Sequence, residues 1–216
     1  MNTELARHHM IQQQLRTCER MSPDTVDLLY ANRREYFVPA AYRALSYADI
    51  EIPLAPGVTM FTPKLETRLL EAAALQPTDR ILEVGTGSGH LAALLAARSQ
   101  QVWSVEIDHA LAEQARRNLT QAGVHNVQVA LGDGLAGLAT EAPFDVIVVA
   151  GGVTEIPAAL QEQLAVGGRL LAVVGTAPVM HLLRLTRNGP QTLITEDLME
   201  TSVAMLQQPA KAAFSF

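Results

Sequence analysis

The 216-residue chain has little of several features that mark particular protein classes. Its one cysteine, Cys18, excludes an intrachain disulfide, and we interpret this thiol as buried or unremarkable. The net charge of −6 argues against nucleic acid as a main partner, because phosphate binding needs a basic surface. No run reaches about 18 apolar residues, so no membrane span is expected. The six histidines lack ligand spacing, so no metal site is predicted.

The polar N-terminus also lacks an apolar signal core, so a cytoplasmic location is expected. No linker, repeat or low-complexity tract divides the chain, which predicts a single domain. Within it we expect residues 1–62 to form a helical cap followed by a loop, and residues 63–216 to form the core. The sequence leaves the oligomeric state open.

Alternating glycines between a strand pattern and a helix pattern are the most informative feature of the chain. The apolar run at 81–84 predicts a strand, and a helix-forming run at 91–98 follows the glycines. Glycine accepts positive φ and lets a backbone approach a ligand without a Cβ in the way. The first amides of a following helix offer hydrogen-bond donors. The segment therefore predicts a turn that holds a nucleotide-like cofactor, with an ordinary strand-to-helix turn as the alternative.

The spacing of the glycines selects among cofactors. Gly85, Gly87 and Gly89 form G-x-G-x-G, whereas a dinucleotide fingerprint reads G-x-G-x-x-G and would need glycine at His90. Glu83, just before the loop, would repel a pyrophosphate but could pair with an ammonium group. S-adenosylmethionine carries an ammonium group and no phosphate, so we predict this cofactor and disfavour a dehydrogenase. For His90, which we expect to face the cofactor cavity, we favour a packing role over proton transfer.

A second acid follows the next predicted strand. Glu106 ends the strand at 102–106 and lies 21 positions after Gly85. This is close to the ~20 expected for an acid that binds ribose hydroxyls. Asp108 is the rival for this role, but its place before a helical run favours helix capping.

A third acid, Asp133, stands between two glycines after the predicted strand at 127–131. There it can accept a hydrogen bond from the adenine amine. Open α/β sheets bind ligands at the carboxyl ends of their strands, where these acids meet. We therefore predict a cofactor site made of Glu83, Gly85, Thr86, Gly87, Gly89, Glu106, Asp133 and Gly134.

Apolar runs alternate with helical segments, which predicts an α/β fold with a doubly wound, Rossmann-like and mostly parallel sheet and helices on both faces. Further strands are expected at 144–149 and 169–174, with a helix at 157–164 between them. The turn signal at 188–190 predicts a C-terminal antiparallel hairpin that completes seven strands. Helices at 3–17, 23–32 and 39–45 should cover the carboxyl edge, and Ser22 should cap the second.

The motifs Glu-Val-Gly-Thr-Gly-Ser-Gly at 83–89, Ser-Val-Glu at 104–106 and Gly-Asp-Gly at 132–134 resemble those of class I S-adenosylmethionine-dependent methyltransferases. Met-Ile-Gln-Gln-Gln-Leu-Arg at 10–16 and Arg-Glu-Tyr-Phe-Val-Pro at 34–39 extend the resemblance to the protein-L-isoaspartate O-methyltransferases, over nearly the whole chain. The resemblance implies an enzyme that methylates the α-carboxylate of isoaspartyl residues in damaged proteins and peptides.

The substrate loop departs from the usual Gly-Gln-Thr-Ile-Ser-Gln-Pro of that family. Residues 57–63 read Gly-Val-Thr-Met-Phe-Thr-Pro, so Phe61 replaces the serine that the resemblance places beside the acceptor carboxylate. A phenyl ring cannot donate a hydrogen bond, which leaves Thr59 and Thr62 as the candidate catalytic residues. We predict impaired isoaspartyl methylation, which Phe61→Ser should raise about tenfold or more. A methyltransferase with another acceptor, or a protein that binds the cofactor without turnover, remains an alternative.

Overall fold

The computed structural model describes residues 3–16 and 21–209, and Cys18 lies outside these ranges, as does the end of the first predicted helix. Helix α1 spans Thr3–His9 and continues as a π-helical segment, Met10–Leu15. Helix α2 spans Pro23–Ala31. Ser22 caps α2 by accepting a hydrogen bond from Thr25 N at 3.2 Å, as the sequence predicts.

Two short 3₁₀ segments, Arg34–Tyr36 and Ala40–Leu45, lead into a small antiparallel hairpin. The hairpin pairs β1, Ile52–Ala55, with β2, Val58–Met60, around a turn in which Gly57 has a φ of +72°. The sequence analysis did not predict these strands, because three- and four-residue strands give too short a pattern to recognise. We call residues 52–60 the acceptor hairpin.

The large sheet has seven strands in the order β5-β4-β3-β6-β7-β8-β9. The first four pairings are parallel and the last two antiparallel, so the predicted C-terminal hairpin is confirmed. The elements are, in chain order, α3 Pro63–Ala73, β3 Arg80–Val84, α4 His90–Ala96, β4 Gln101–Glu106, α5 His109–Gln121, β5 Val127–Leu131, β6 Phe144–Val153, α6 Ala158–Glu162, β7 Leu164–Thr176, β8 Val179–Gly189 and β9 Thr192–Thr201.

Successive residues of the central strands face opposite sides of the sheet, as the two-residue period of a strand requires. Ile81 packs with α3 and α4 in one buried cluster, while Leu82 packs with Leu160 of α6 in another. The N-terminal helical segments add Ile11 and Leu28 to the first cluster. Both faces are therefore covered, which confirms the predicted doubly wound arrangement.

Three predicted boundaries differ from the structure. Strand β6 does not end at residue 149 but continues through a pair of glycines to Val153. Helix α6 is shorter than predicted, and β7 begins at Leu164 rather than at 169. Glycines indicate chain turns in a sequence, but Gly151 and Gly152 lie within β6, and Gly167, with a φ of +86°, lies at an irregularity of β7 between Leu164 and Arg169. None of the helices within the described residues is long and apolar enough to cross a membrane.

Candidate functional site

A cleft opens at the carboxyl edge of the sheet, where the strand order reverses between β3 and β6. It encloses about 840 Å³, including the part open to solvent. Its walls come from the glycine loop between β3 and α4, the ends of β4, β5 and β6, the acceptor hairpin and residues 204–207. The predicted helical cap contributes no lining residue among the described residues; Ile11 and Leu28 from its helices belong instead to a buried core cluster.

The charged side chains that line the cleft are all acidic among the described residues. The described lining residues include the carboxylates of Glu66, Glu106 and Asp133 and neither lysine nor arginine. Glu66 is already paired with Arg34, but a phosphate or pyrophosphate beside Glu106 or Asp133 would meet negative charge without a compensating lysine or arginine among the described lining residues. The cleft is therefore suited to a ligand that is positively charged or neutral where it meets these acids.

Positive φ angles shape the glycine loop, with +94° at Gly85, +53° at Gly87 and +85° at Gly89. Other residues rarely adopt these angles. Gly85 N donates to the carbonyl oxygen of Val105 at 2.8 Å, which ties the loop to β4. Thr86 lines the cleft, and its hydroxyl lies 2.5 Å from that of Ser104. The structure thus places Gly85, Thr86 and Gly87 at the cleft, whereas Gly89 is not among the lining residues and lies close to Ala115 and Leu119 of α5.

Glu106 joins the end of β4 to the glycine loop. Its Oε2 accepts from Gly87 N at 2.8 Å, and its Oε1 accepts from the amides of Ile107 and Asp108 at 2.9 and 3.1 Å. These amides orient the carboxylate, which lines the cleft and is 5% exposed. Asp108 instead accepts from Leu111 N at 2.9 Å and caps α5, as predicted.

Asp133 and Gly134 follow β5 and line the same cleft as the acceptor hairpin. Asp133 is exposed, and its Oδ1 accepts from Leu135 N at 3.0 Å. A Cβ on Gly134 would lie 2.6 Å from Val84 Cγ1, so a larger residue would displace this loop from β3. Glycine is thus required here for close packing.

Glu83 lies beneath the glycine loop rather than among the residues that line the cleft. It is fully buried, accepts a hydrogen bond from Ser104, and has no partner for Oε1 among the described residues. Burial raises the pKa of Glu83 to about 8, against the opposing hydrogen bond from Ser104 and with a further increase from the charges of Glu106 and Glu66. Oε1 of Glu83 is therefore a buried polar atom whose hydrogen-bonding capacity is not met among the described residues.

The raised pKa of Glu83 predicts a pH-dependent stability. The unfolded chain loses this proton near pH 4.5, whereas the ligand-free folded protein keeps it to about pH 8. The free energy of unfolding should therefore fall as pH rises from about 4.5 to about 8. Urea unfolding of the wild type and Glu83→Gln across this range tests it. The Gln variant should show a smaller fall, and equal slopes in both proteins would contradict the assignment.

The two predicted catalytic threonines occupy different environments. Thr59 lines the cleft from β2, and its hydroxyl donates to Glu51 Oε2 at 3.0 Å. Thr62 is not among the lining residues, and its hydroxyl caps α3 by accepting from Leu65 N at 3.2 Å. The structure therefore brings Thr59 to the cleft and gives Thr62 a local role in starting a helix.

Phe61 both touches the cleft and belongs to the core. It lines the cleft and yet is only 6% exposed, because its ring packs in the cluster that contains Ile11, Leu65 and Leu69. The sequence analysis treated Phe61 as a pocket residue alone. Its burial gives it a structural role as well.

The sequence analysis did not predict the part of the chain that closes the cleft from above. Gly152 exchanges backbone hydrogen bonds with residues 204 and 206, at 2.8 and 2.9 Å. A Cβ on Gly151 would lie 2.6 Å from Leu206 Cγ, and one on Gly152 would lie 2.9 Å from Met205 Sδ. The paired glycines therefore make room for the C-terminal segment. They were the available signal, because glycines inside a strand indicate close approach by another chain segment.

A buried polar cluster behind the cleft was also missed. His90 is 3% exposed and is not among the lining residues, so the expectation that it faces the cavity is wrong. Its Nδ1 lies 3.0 Å from Glu66 Oε1, and its ring packs on Phe37 with centroids 5.3 Å apart. Arg34 completes the cluster by pairing with Glu66. Within the described residues there is no group of three or more acids, histidines or cysteines placed to hold a metal ion.

Comparison with known proteins gives consistent matches to one family. A family model described as protein-L-isoaspartate(D-aspartate) O-methyltransferase matches residues 5–208. A protein-L-isoaspartate O-methyltransferase of Methylorubrum populi is 39% identical over 98% of this chain and 99% of its own length. One from Koribacter versatilis is 43% identical over 85% of this chain and 82% of its own.

Solved structures share the fold. A Plasmodium falciparum structure assigned to the protein-L-isoaspartate O-methyltransferases, in complex with S-adenosyl-L-homocysteine, aligns with a TM-score of 0.81 at 19% identity. The alignment covers 96% of this chain and 99% of that one. Another structure of a protein-L-isoaspartate O-methyltransferase aligns with a TM-score of 0.79 at 25% identity, over 95% of this chain and 66% of that one.

Proposed function

This chain belongs to the protein-L-isoaspartate(D-aspartate) O-methyltransferase family, and from that membership we propose how its residues carry out methyl transfer. It is an S-adenosylmethionine-dependent methyltransferase that acts on the carboxylate of isoaspartyl residues. We propose isoaspartyl residues of damaged proteins and peptides as its acceptors. We also infer that one domain carries both functions, with the acceptor hairpin within residues 1–62 and the cofactor site within 63–216.

One observation supports the cofactor most strongly: the cleft wall contains carboxylates and, among its described residues, no basic side chain. S-adenosylmethionine has a sulfonium and an ammonium group and no phosphate, so its charges suit this wall. The buried, unpartnered oxygen of Glu83 beneath the glycine loop supports the same choice. A dinucleotide would instead bring two phosphates to the glycine loop, where none of the described lining residues is a lysine or arginine that could balance their charge.

The proposed cofactor-binding residues fall into two groups, one for each end of the cofactor. We propose that Glu83 and the backbone of Gly85, Thr86, Gly87 and Gly89 hold the amino-acid end of the cofactor. Glu106, which three amides already orient, would bind the ribose hydroxyls, and Asp133 with Gly134 would bind adenine. The acceptor hairpin then faces the end at which the methyl group is transferred.

The cofactor supplies an electrophilic methyl group on a cationic sulfur. An acceptor carboxylate is already ionised at neutral pH, so the chain needs no strong general base. Negative and positive charges neutralise each other as the reaction proceeds, and surroundings of low polarity favour such a change. Apolar side chains around the acceptor end provide these surroundings, namely Leu54, Val58, Met60, Phe61 and Met205. The role of the protein is then to align the reactants and exclude water.

We predict that Thr59 and Thr62 differ in their effects. Thr59→Val should slow methylation of an isoaspartyl peptide about tenfold or more, because it removes a hydroxyl beside the acceptor. Thr62→Val should instead lower the free energy of unfolding by about 1 kcal/mol through loss of the helix cap. Initial rates at saturating cofactor and urea unfolding measure the two effects. If methylation is slow in Thr62→Val and unchanged in Thr59→Val, Thr62 and not Thr59 has the catalytic role.

Calorimetric titration with S-adenosylhomocysteine and with NAD tests the cofactor site. The demethylated cofactor should bind more tightly than NAD. Tighter binding of NAD would contradict the interpretation of the acidic cleft.

A further inference from the structure

Arg34 connects the end of the acceptor hairpin to α3, two parts of the molecule whose relative position must stay fixed during the reaction. It lies in the 3₁₀ segment before the acceptor hairpin and is 2% exposed. Its Nη2 donates to the carbonyl oxygen of Phe61 at 2.6 Å, directly after β2. Its Nη1 pairs with Glu66 Oε2 on α3. A single guanidinium thus binds the end of the acceptor hairpin and the helix that follows it.

His90 extends these contacts to the cofactor side. It is the first residue of α4, directly after the glycine loop. Its Nδ1 lies 3.0 Å from Glu66 Oε1 and 3.2 Å from Arg34 Nη1. Glu66 accepts from Arg34, and a proton on Nδ1 lets it accept from His90 as well; the approach of Arg34 Nη1 to Nδ1 is then a contact between two donors and not a hydrogen bond. Glu66 therefore joins Arg34 to the start of α4.

The three side chains bind one another in a site with little access to water, and Arg34 Nε is left there without a hydrogen-bond partner among the described residues. Burial alone would raise the pKa of Glu66, but the charges and hydrogen bonds of Arg34 and His90 outweigh it and hold this pKa below its ordinary value. The ionised carboxylate of Glu66 in turn holds the planar guanidinium of Arg34 in one orientation. A buried pair of this kind is weak evidence for stability, because desolvation offsets much of the attraction, but it restricts geometry strongly.

We propose that Arg34, oriented by Glu66 and His90, is a positioning residue that holds the acceptor hairpin in register with the glycine loop. The inference rests on the proposed function, since it assumes that the hairpin carries the acceptor. In-line transfer is sensitive to displacements of about 1 Å, so loosening the Phe61 carbonyl should misalign the acceptor. The cofactor should still bind, because its contacts lie on the strand-end acids and the loop backbone.

Arg34→Lys is the test, with Arg33→Lys as the matched control. Lysine keeps the charge but has no planar fork to bind Glu66 and the Phe61 carbonyl together. Arg33 is the neighbouring arginine and also pairs with an acid, Glu35, but its side chain is 40% exposed and its guanidinium lies over the ring of Tyr36. The measurements are kcat and KM for an isoaspartyl peptide, the Kd of S-adenosylhomocysteine, and amide hydrogen exchange.

For Arg34→Lys we expect kcat to fall about tenfold or more while the Kd of S-adenosylhomocysteine stays within about twofold. Amides of the acceptor hairpin should exchange faster, while those of β5 should not. Arg33→Lys should change none of these. If Arg34→Lys proves too unstable to purify, Glu66→Gln should show the same hairpin-specific increase, since it weakens the group that orients Arg34.

Three results would overturn the inference: unchanged hairpin exchange in Arg34→Lys, equal changes in both lysine variants, or a loss of cofactor affinity that parallels the loss of kcat. The exchange measurement needs no turnover. An inactive wild type would therefore contradict the proposed function, while hairpin exchange would still decide whether Arg34 holds the hairpin.

Discussion

Phe61→Ser is expected to lower the free energy of unfolding by about 3–5 kcal/mol, the cost of removing a large aromatic side chain from a core. The ring is 6% exposed and belongs to the buried cluster that contains Ile11, Leu65 and Leu69, so its loss leaves a cavity in that cluster. Serine also brings a hydroxyl into that apolar cluster. Urea unfolding of the two proteins measures the change.

The same substitution should affect the rate in the opposite direction. A hydroxyl at position 61 can donate to the acceptor carboxylate, and the backbone that carries it stays bound to Arg34. Methylation per folded molecule should therefore rise about tenfold. Phe61→Leu is the control, because it keeps apolar volume without a donor. A stable but slower Phe61→Ser enzyme would contradict both parts of this account.

Glu106→Ala is expected to weaken cofactor binding by about 1.5–3 kcal/mol, the range for hydrogen bonds to a charged group. The substitution removes the proposed ribose acceptor. It also removes the acceptor for Gly87 N, so part of the loss comes from a looser glycine loop. Calorimetric titration with S-adenosylhomocysteine measures the change.

Asp108→Ala is the matched control for this prediction. Asp108 caps α5, so its loss should lower stability by about 1 kcal/mol and leave cofactor affinity nearly unchanged. Weaker binding in Asp108→Ala together with normal binding in Glu106→Ala would mean that the two acids were assigned the wrong way round.

The cofactor half of the cleft could be predicted because its signals are local. Alternating glycines mark the loop, and an acid at the end of an apolar run marks a strand end. Parallel pairing then brings Glu106 and Asp133 to one edge without further information. Helix capping also depends on neighbouring residues, which is why the sequence alone predicts Ser22 and Asp108 as helix caps.

The acceptor half depends on contacts between distant segments. Nothing near Arg34 in the sequence indicates that it pairs with Glu66, 32 positions later, or approaches His90. The burial of Phe61 depends on helices that pack behind it. Gly151 and Gly152 were visible as unusual, but their reason lies in Met205 and Leu206 at the far end of the chain.

The most direct test is labelled methyl transfer from S-adenosylmethionine to an isoaspartyl peptide, compared with its aspartyl twin. The account predicts base-labile label in the isoaspartyl peptide well above the level in its twin, at a rate that Thr59→Val reduces. No label in the isoaspartyl peptide, with normal binding of S-adenosylhomocysteine, would contradict the account and indicate another acceptor.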